Sequence, residues 1–516
     1  MHTAPNSDVL TLSEAAAFVR VSERTLGEMA RSGRVPCQKV GREWRFLKSA
    51  LRAWLAHREL PQVVAEAPVQ YSLGLVEPEA PPARATAEGF GDTAFTKNRS
   101  EPLHRWVPWI AGFSSSFVNG VLDGAKGTPP EGITVLDPFA GVGTTLVEAI
   151  RRGCNAVGFE INPYAELACR TKIKCVGFDL KRLRNAARDF RAFMLARSHA
   201  TPRARPPAEF SSRVPFFSPK VERKVLRVLD FIAEQHEPWV QDVLRVALGA
   251  VMVSFSNYSY EPSLGRRSSA GKQDILDADV AGIVEAKLAE MIADVAGVQQ
   301  RTSALKPPSA GVFCDSFLTS SSRVRPGSID FLITSPPYLN NYHYIRNTRP
   351  QLFWLGLVQR RAQLKDMEHA SFGKFWQTVR SGPSIDLQFD CAELTELLEE
   401  LRHRSPHRGV YGGAGWANYA AAYFNDCHAF CRAAHGLMKP RGSAVVVIGN
   451  NILQGIEFKT DEYFAQIAQR CGFELVQLHR VRKKRTGSSI VNSSVRSGSP
   501  SLPVELYETA IELAAR

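Results

Sequence analysis

The stretch ITVLDPFAGVGTTLVEAIRRGCNAVGFEINPYA, residues 133–165, decides the fold. Ile133 to Leu136 is a short apolar run of strand character. Asp137-Pro138-Phe139 ends it, because proline brings no N–H to a ladder and fixes its own φ. Gly141 and Gly143 supply a tight turn after Ala140. From Thr144 through Thr145 to Arg152 the apolar positions fall at helical spacing, Gly153 closes that helix, and Ala156 to Phe159 is a second strand ending on Glu160. A strand, a helix and a strand are predicted, with the loops at the carboxyl ends of the strands, where open α/β sheets bind ligands. Glycine lets backbone come close to a ligand, and an acid at the end of the second strand can take both hydroxyls of a ribose. The dinucleotide spacing GxGxxG is not met, since position 146 is leucine.

A second stretch, TSPPYLNNYHY at 334–344, follows directly on the apolar run Ile329–Ile333. Two prolines are an economical way to stop a buried strand, and taken alone Ser335-Pro336-Pro337-Tyr338 says no more than that. Read with the first stretch it says more. DPFAGVGTT (137–145) and SPPY (335–338) together resemble the amino-methylating DNA methyltransferases that use S-adenosylmethionine. The resemblance implies that Asp137, Pro138, Phe139, Ala140, Gly141, Gly143, Thr144 and Thr145 lie against the methionine end of the donor and that Glu160 holds its ribose. To methylate an exocyclic amine, the nitrogen lone pair must be freed from the ring, and acceptors aimed at the two N–H protons favour that geometry. Ser335 Oγ and the Pro336 carbonyl are the expected acceptors, Pro337 stiffens the loop, and Tyr338 offers a face for a flipped base. Among relatives the serine form accompanies N4-cytosine activity more often, and aspartate or asparagine accompanies N6-adenine.

Two flanking segments extend the resemblance. In PLHRWVPWIAGFSSSFVNGVLD (102–123), Phe113 matches the start of the helix that flanks the methionine end, with tryptophan-rich core packing as the alternative. In GVFCDSF (311–317), Asp315 matches the acid that contacts the donor's adenine, with an ordinary loop acid as the alternative. LMKPRGSAVVVIGNN (437–451) is a helix end, a turn and a buried strand. Donor loop before catalytic loop is the order called gamma, although DPFAGVGTT is worded like the beta class. The two motifs stand roughly two hundred residues apart, more than an alternating α/β unit needs, so a helical insertion at about 180–310 is expected. VERKVLRVLDFIAEQ, DVLRVALGAVMVSFSNYSY and IVEAKLAEMIADVAGVQQR carry its helical spacing, with the basic loop 263–273 between them. A second insertion is expected at about 357–420, and either could read the target. The basic stretch 479–498 has the ingredients of phosphate binding, or of a solvated surface.

Residues 1–58 read as a module of their own. Ser13 and Ser22 stand at the starts of two short helices, Gly41-Arg42 makes a turn between two extended stretches, and KSALRAWLAHR makes a third helix. The module resembles the excisionase-type winged helix-turn-helix. That places Arg24, Arg31, Arg34, Lys39, Arg42 and Arg45 where DNA contacts are made, with protein docking as the alternative. Residues 59–95, rich in Pro, Ala and Glu, read as a flexible linker, and 96–516 as the catalytic domain.

The chain's 516 residues are 44% hydrophobic and 22% charged, enough for several cored domains. A formal charge of +13 suggests a polyanionic partner. The nine cysteines lie without metal-ligand spacing, so no metal is expected. No membrane-length apolar run is present, and the expected location is the cytoplasm. The fold class expected is α/β, a Rossmann-like methyltransferase sheet with helical insertions behind a small winged helix-turn-helix. The expected function is methyl transfer from S-adenosylmethionine to N4 of cytosine in double-stranded DNA. The rivals are N6 of adenine, an RNA base, and a DNA-binding regulator without activity. A cognate restriction endonuclease or another defence-system protein is a partner the resemblance allows. Pro36-Cys37-Gln38 spells the tripeptide of the cytosine-C5 enzymes, but it precedes the donor loop, whereas in that family it follows, so Cys37 is expected to be catalytically idle.

Overall fold

A computed structural model of the chain describes residues 9–19, 21–31, 35–40, 43–48, 51, 98–109, 112–124, 132–260, 263–302, 308–339, 343–483 and 505–516. It divides into two compact units, residues 1–82 and 83–516. The expected linker and most of the third helix of the first unit lie outside the described residues.

The first unit contains β1 (Val9–Leu10), helices Leu12–Val19 and Glu23–Arg31, β2 (Gln38–Val40) and β3 (Glu43–Leu47). Ser22 caps the second helix as expected, its Oγ accepting from the Thr25 N–H at 3.1 Å. Ser13 does not cap the first. Thr11 does, reciprocally with Glu14: the Thr11 N–H donates to the Glu14 carboxylate at 2.8 Å and the Glu14 N–H to Thr11 Oγ1 at 3.3 Å, a capping box two residues earlier than read. β2 and β3 pair antiparallel across Gly41-Arg42, with Val40 opposite Glu43. β1 adds an unforeseen third strand on the other edge of β3. Ala15, Leu26, Phe46 and Leu51 are fully buried and hold the module together.

In the second unit β4 (Thr134–Asp137) and β5 (Asn155–Phe159) flank the helix Thr144–Arg151 and pair in parallel, so the decisive stretch forms the unit its periodicity predicts. Further on come the short hairpin β6 (Tyr258–Tyr260) with β7 (Leu264–Arg266), then β8 (Ala310–Phe313), β9 (Ile329–Thr334) and β10 (Met438–Gly449). The hairpin β11 (Asn451–Leu453) with β12 (Ile456–Phe458), then β13 (Phe473–Lys483) and β14 (Tyr507–Ala515), complete the strands. The main sheet runs β13-β14-β10-β9-β4-β5-β8. β10, β9, β4, β5 and β8 are mutually parallel, and β14 lies antiparallel between β10 and β13. From β4 the chain winds outward through β5 and β8 and returns to β9 on the other side. The strand order therefore reverses between β4 and β9, the switch point at which such sheets open a crevice.

Alternate residues feed the two faces, as the strand period requires. Val135, Ile333, Val445 and Val447 join one buried cluster, while Leu136, Leu332, Ala444 and Val446 join the other. The first cluster is covered by helices Ser115–Gly124, Thr144–Arg151 and Pro163–Lys174, and by the insertion helices Leu180–Ala196, Pro219–Ala233, Pro238–Val251 and Val280–Thr302. The second is covered by Gly413–Leu437 and Thr460–Arg470. Three expectations are corrected here. The helix read through Tyr260 stops at Val251, and its aromatic end is β6. The basic loop 263–273 begins as β7, then forms a single short helical turn, Arg267–Ala270. Within the basic stretch 479–498, residues 479–483 belong to β13, where His479 bonds Glu512 at 3.0 Å and Arg480 stacks 3.8 Å from the Tyr507 ring centroid; the remainder lies outside the described residues.

Candidate active site

Asp137 ends β4 fully buried, and its Oδ1 accepts from Thr334 Oγ1 at 2.6 Å and from the Phe139 N–H at 3.1 Å. It thereby ties the end of β4 to the end of β9 at the switch point. Burial pushes its pKa up to about 6, against the bonds from Thr145, Thr334 and Phe139 that favour the carboxylate. Thr145 is buried behind the loop, its hydroxyl lying 3.5 Å from the Ile333 carbonyl as well as beside Asp137. Gly143 sits at φ +88°, and a Cβ there would lie 2.7 Å from Cys169 Sγ, so both conformation and space require glycine.

Glu160 follows β5. One carboxylate oxygen accepts from the Gly141 N–H at 2.8 Å and the other from the Asn162 N–H at 2.7 Å. Burial raises its pKa to about 7, opposed by these two donors; the residue nevertheless keeps a partly open edge. Asn162 caps the helix Pro163–Lys174 through its side-chain oxygen and donates to Thr348 Oγ1 at 2.7 Å.

A single cavity gathers most of the expected donor residues. It encloses about 990 Å³, open solvent at its mouth included. Phe113, Asp137, Pro138, Phe139, Ala140, Gly141, Thr144, Glu160 and Asp315 line it, and so do Ser335 and Pro337. Residues from four separate segments of the sequence thus meet in one place. Gly143, Thr145, Pro336 and Tyr338 do not line it. Pro336 is buried, and the Tyr338 ring rests against Gly449, 3.3 Å from where a Cβ there would stand. The Tyr338 hydroxyl is pushed well above its ordinary pKa by burial and by Glu508. Ser335 Oγ donates to the Val447 carbonyl at 3.0 Å. Its one proton is committed to β10, so the oxygen has only lone pairs to present elsewhere. Asp315 accepts from the Ser316 N–H at 2.9 Å and faces Arg323 at 3.4 Å.

The cavity also has walls that sequence reasoning missed. Trp109, Asn162, Tyr344, Phe372 and Phe375 line it. Trp109 stacks on Tyr344 with centroids 5.8 Å apart and planes at 16°, and Phe375 stacks on His343 at 4.4 Å and 9°. The only available signal for Tyr344 was its place just behind SPPY. Electrostatics narrow the ligand. Among the described lining residues are three acids, Asp137, Glu160 and Asp315, and no lysine, arginine or histidine. Such walls suit a cation and offer a phosphate no countercharge, which disfavours a dinucleotide on chemistry as well as on spacing.

In the first unit, Arg45 is bound to its own strand, donating to the Trp44 carbonyl at 3.1 Å and pairing with Glu43 at 2.5 Å. Arg34 and Arg42 lie outside the described residues, as do the side chains of Arg24, Arg31 and Lys39.

Comparison with known proteins agrees with this geometry. Residues 126–170 match the DNA methylase family model and residues 9–59 match the helix-turn-helix domain model. Among curated proteins the chain is similar to the Type II methyltransferase M.BsoBI of Geobacillus stearothermophilus, 24% identical over 440 residues, covering 77% of this chain and 83% of the relative. It is similar also to the Type II methyltransferase M.AvaI of Nostoc sp. (strain PCC 7120), 25% identical over 412 residues, covering 75% and 82%. Among solved structures it matches the rRNA methyltransferase aviRa from Streptomyces viridochromogenes at 8% identity and a TM-score of 0.29, covering 81% of this chain and 92% of that one. The DNA methylase family model and the two Type II relatives support DNA amino-methyltransferase activity, with S-adenosylmethionine as methyl donor. Among the described residues no helix is long and apolar enough to cross a membrane.

Proposed function

We propose that the chain methylates N4 of cytosine in double-stranded DNA. The observation that carries this reading is Ser335, whose hydroxyl proton is held by Val447 and which lines the same cavity as Asp137 and Glu160. The residues fit the donor. Glu160 retains acceptor capacity beyond its two backbone bonds, as ribose hydroxyls require, and the cation-free walls suit a sulfonium and an ammonium group. When bound, S-adenosylmethionine supplies an electrophilic methyl group. Ser335 Oγ, with the Pro336 carbonyl, accepts from the target amine and favours the geometry in which its lone pair is free. Asp137 holds β4 and β9 in register, so that the donor loop and SPPY keep a fixed separation. Tyr338, its ring packed against Gly449 and off the cavity wall, supports the loop rather than offering the base a face. Cys37 takes no part, and no covalent intermediate forms. The helix-turn-helix adds DNA affinity through its basic residues. The likeness to Type II methyltransferases supports a place beside a cognate restriction endonuclease.

The test is to incubate the protein with tritiated S-adenosylmethionine and mixed-sequence duplex DNA, digest to nucleosides, and identify the labelled one. N4-methylcytosine is expected. N6-methyladenine would overturn the base assignment and keep the mechanism; label in an RNA control alone would overturn the substrate.

A further inference from the structure

The donor cavity has no described cation on its walls, yet two helices lead from it to a cluster of arginines. The helix Tyr344–Trp354 begins on the cavity, which Tyr344 and Ile345 line, and carries Arg346 and Arg349 three residues apart on one side. The helix Arg361–Ala370 starts at Arg361 and ends on the cavity wall at Ala370. Arginines from both converge on Ser211, in the first insertion. Arg349 donates to the Ser211 carbonyl, and Arg361 donates to Ser211 Oγ and to the Glu209 carbonyl, each at 2.8 Å. At 1.5 Å per helical residue the cluster stands roughly 7 to 14 Å along these helices from the cavity wall, about two to four phosphates of one DNA strand.

Little in the protein answers these charges. Arg346 and Arg361 are exposed, and Arg349 is half-buried with its guanidinium 5.5 Å from the Phe210 ring centroid. The acid in contact with the cluster is Glu209, whose carboxylate accepts from the Arg361 backbone N–H at 2.6 Å. Among the described residues no ion pair joins a carboxylate to any of the three guanidinium groups. Burial, then the charges of Arg361 and Arg346, lowers the Arg349 pKa, as like charges held close together must. Each guanidinium carries five N–H donors. Arg361 spends two of them on the first insertion and Arg349 one, so most remain for an anion. In the basic part of the second insertion, by contrast, charges are answered locally: Arg402 pairs with Glu399 at 3.1 Å and Arg404 with Glu400 at 2.6 Å. Planar guanidinium forks match phosphate oxygens, and a polyanion relieves the mutual repulsion of three cations.

We propose that Arg346, Arg349 and Arg361 hold the phosphate backbone of the target DNA beside the donor cavity, where the two insertions meet. The identity of the ligand as DNA rests on the function proposed above; the cluster's fit to phosphate does not. The test measures binding of the full-length protein to a mixed-sequence DNA duplex over a range of salt, under saturating S-adenosylhomocysteine, for wild type, Arg346→Gln, Arg361→Gln and the double variant. Each single change is expected to weaken binding about tenfold, the loss of a hydrogen bond to a charged group, and to lower the slope of log Kd against log salt by about 0.9. The Kd for S-adenosylmethionine should stay unchanged. Arg361→Lys is expected to restore the slope, which a merely structural role would not require. Arg349 is tied into the fold, so Arg349→Lys serves there: it keeps the charge, loses the fork, and should weaken binding at an unchanged slope. In steady-state methylation the loss should fall on the KM for DNA more than on kcat. A double variant whose slope and KM match wild type would overturn the site. Variant-sensitive binding to an RNA duplex of the same sequence, with none to DNA, would overturn DNA as the occupant. Absence of methyl transfer with the slope change intact would instead count against the proposed function and leave the phosphate site standing.

Discussion

A hydroxyl that gives its proton to the Val447 carbonyl can only accept from whatever approaches its other side, which makes Ser335 an acceptor by position as well as by type. Ser335→Ala is expected to lower turnover roughly a hundredfold, the scale of one preorganised polar contact at a reacting group, with donor affinity unchanged. Equal losses of both in a kinetic and binding comparison would make the loop structural. Glu160 carries a pH dependence whose sign follows from its environment. Burial raises its pKa to about 7, so below that pH the free protein holds a neutral carboxyl, while ribose hydroxyls bind the ionised form more tightly. Donor affinity should therefore rise from pH 6 to pH 8 and donor binding should release a proton, both measurable by calorimetry in two buffers. Glu160→Gln should weaken donor binding about tenfold or more and flatten that profile. Cys37→Ala is expected to leave methylation intact; loss of methylation with DNA binding unchanged would point to C5 chemistry.

At the scale of elements, the donor turn depends on one glycine without room for change. Gly143→Ala forces a side chain into φ +88° and against Cys169 Sγ, at a cost of about 1–3 kcal/mol. A lower thermal midpoint and weaker donor binding are the expected outcomes; an unchanged midpoint would mean that the helix Pro163–Lys174 yields freely. The unit β4, helix, β5 is legible in the sequence because its period changes from two to nearly four and back, with proline and glycine marking each change. Asp137, Glu160 and Ser335 are legible for the same reason, since each stands directly behind an apolar run. Trp109, Phe372 and Phe375 are not. Their segments announce apolar character without a direction, and only tertiary packing turns those rings toward the cavity. β1, β6 and β11 escape notice because strands of two or three residues are made by their partners, with too few positions to show a period.

For the whole molecule, the two units divide the work that the charge of +13 suggests. The donor cavity has no described cationic lining, so DNA phosphates must be held elsewhere. Deleting residues 1–58 is expected to weaken DNA binding and reduce its salt dependence while sparing the choice of base, read from log Kd against log salt; an unchanged slope would remove the module from the DNA interface. The place of β14 in the main sheet has a consequence for biogenesis. β14 lies between β10 and β13, so as the chain leaves the ribosome β13 emerges with its one sheet neighbour among the described residues still unsynthesised, and β10 shows an open edge. Residues 507–515 act as a late keystone: the strands that carry the donor loop and SPPY can already be paired, yet one side of the sheet stays open to other chains until that segment arrives.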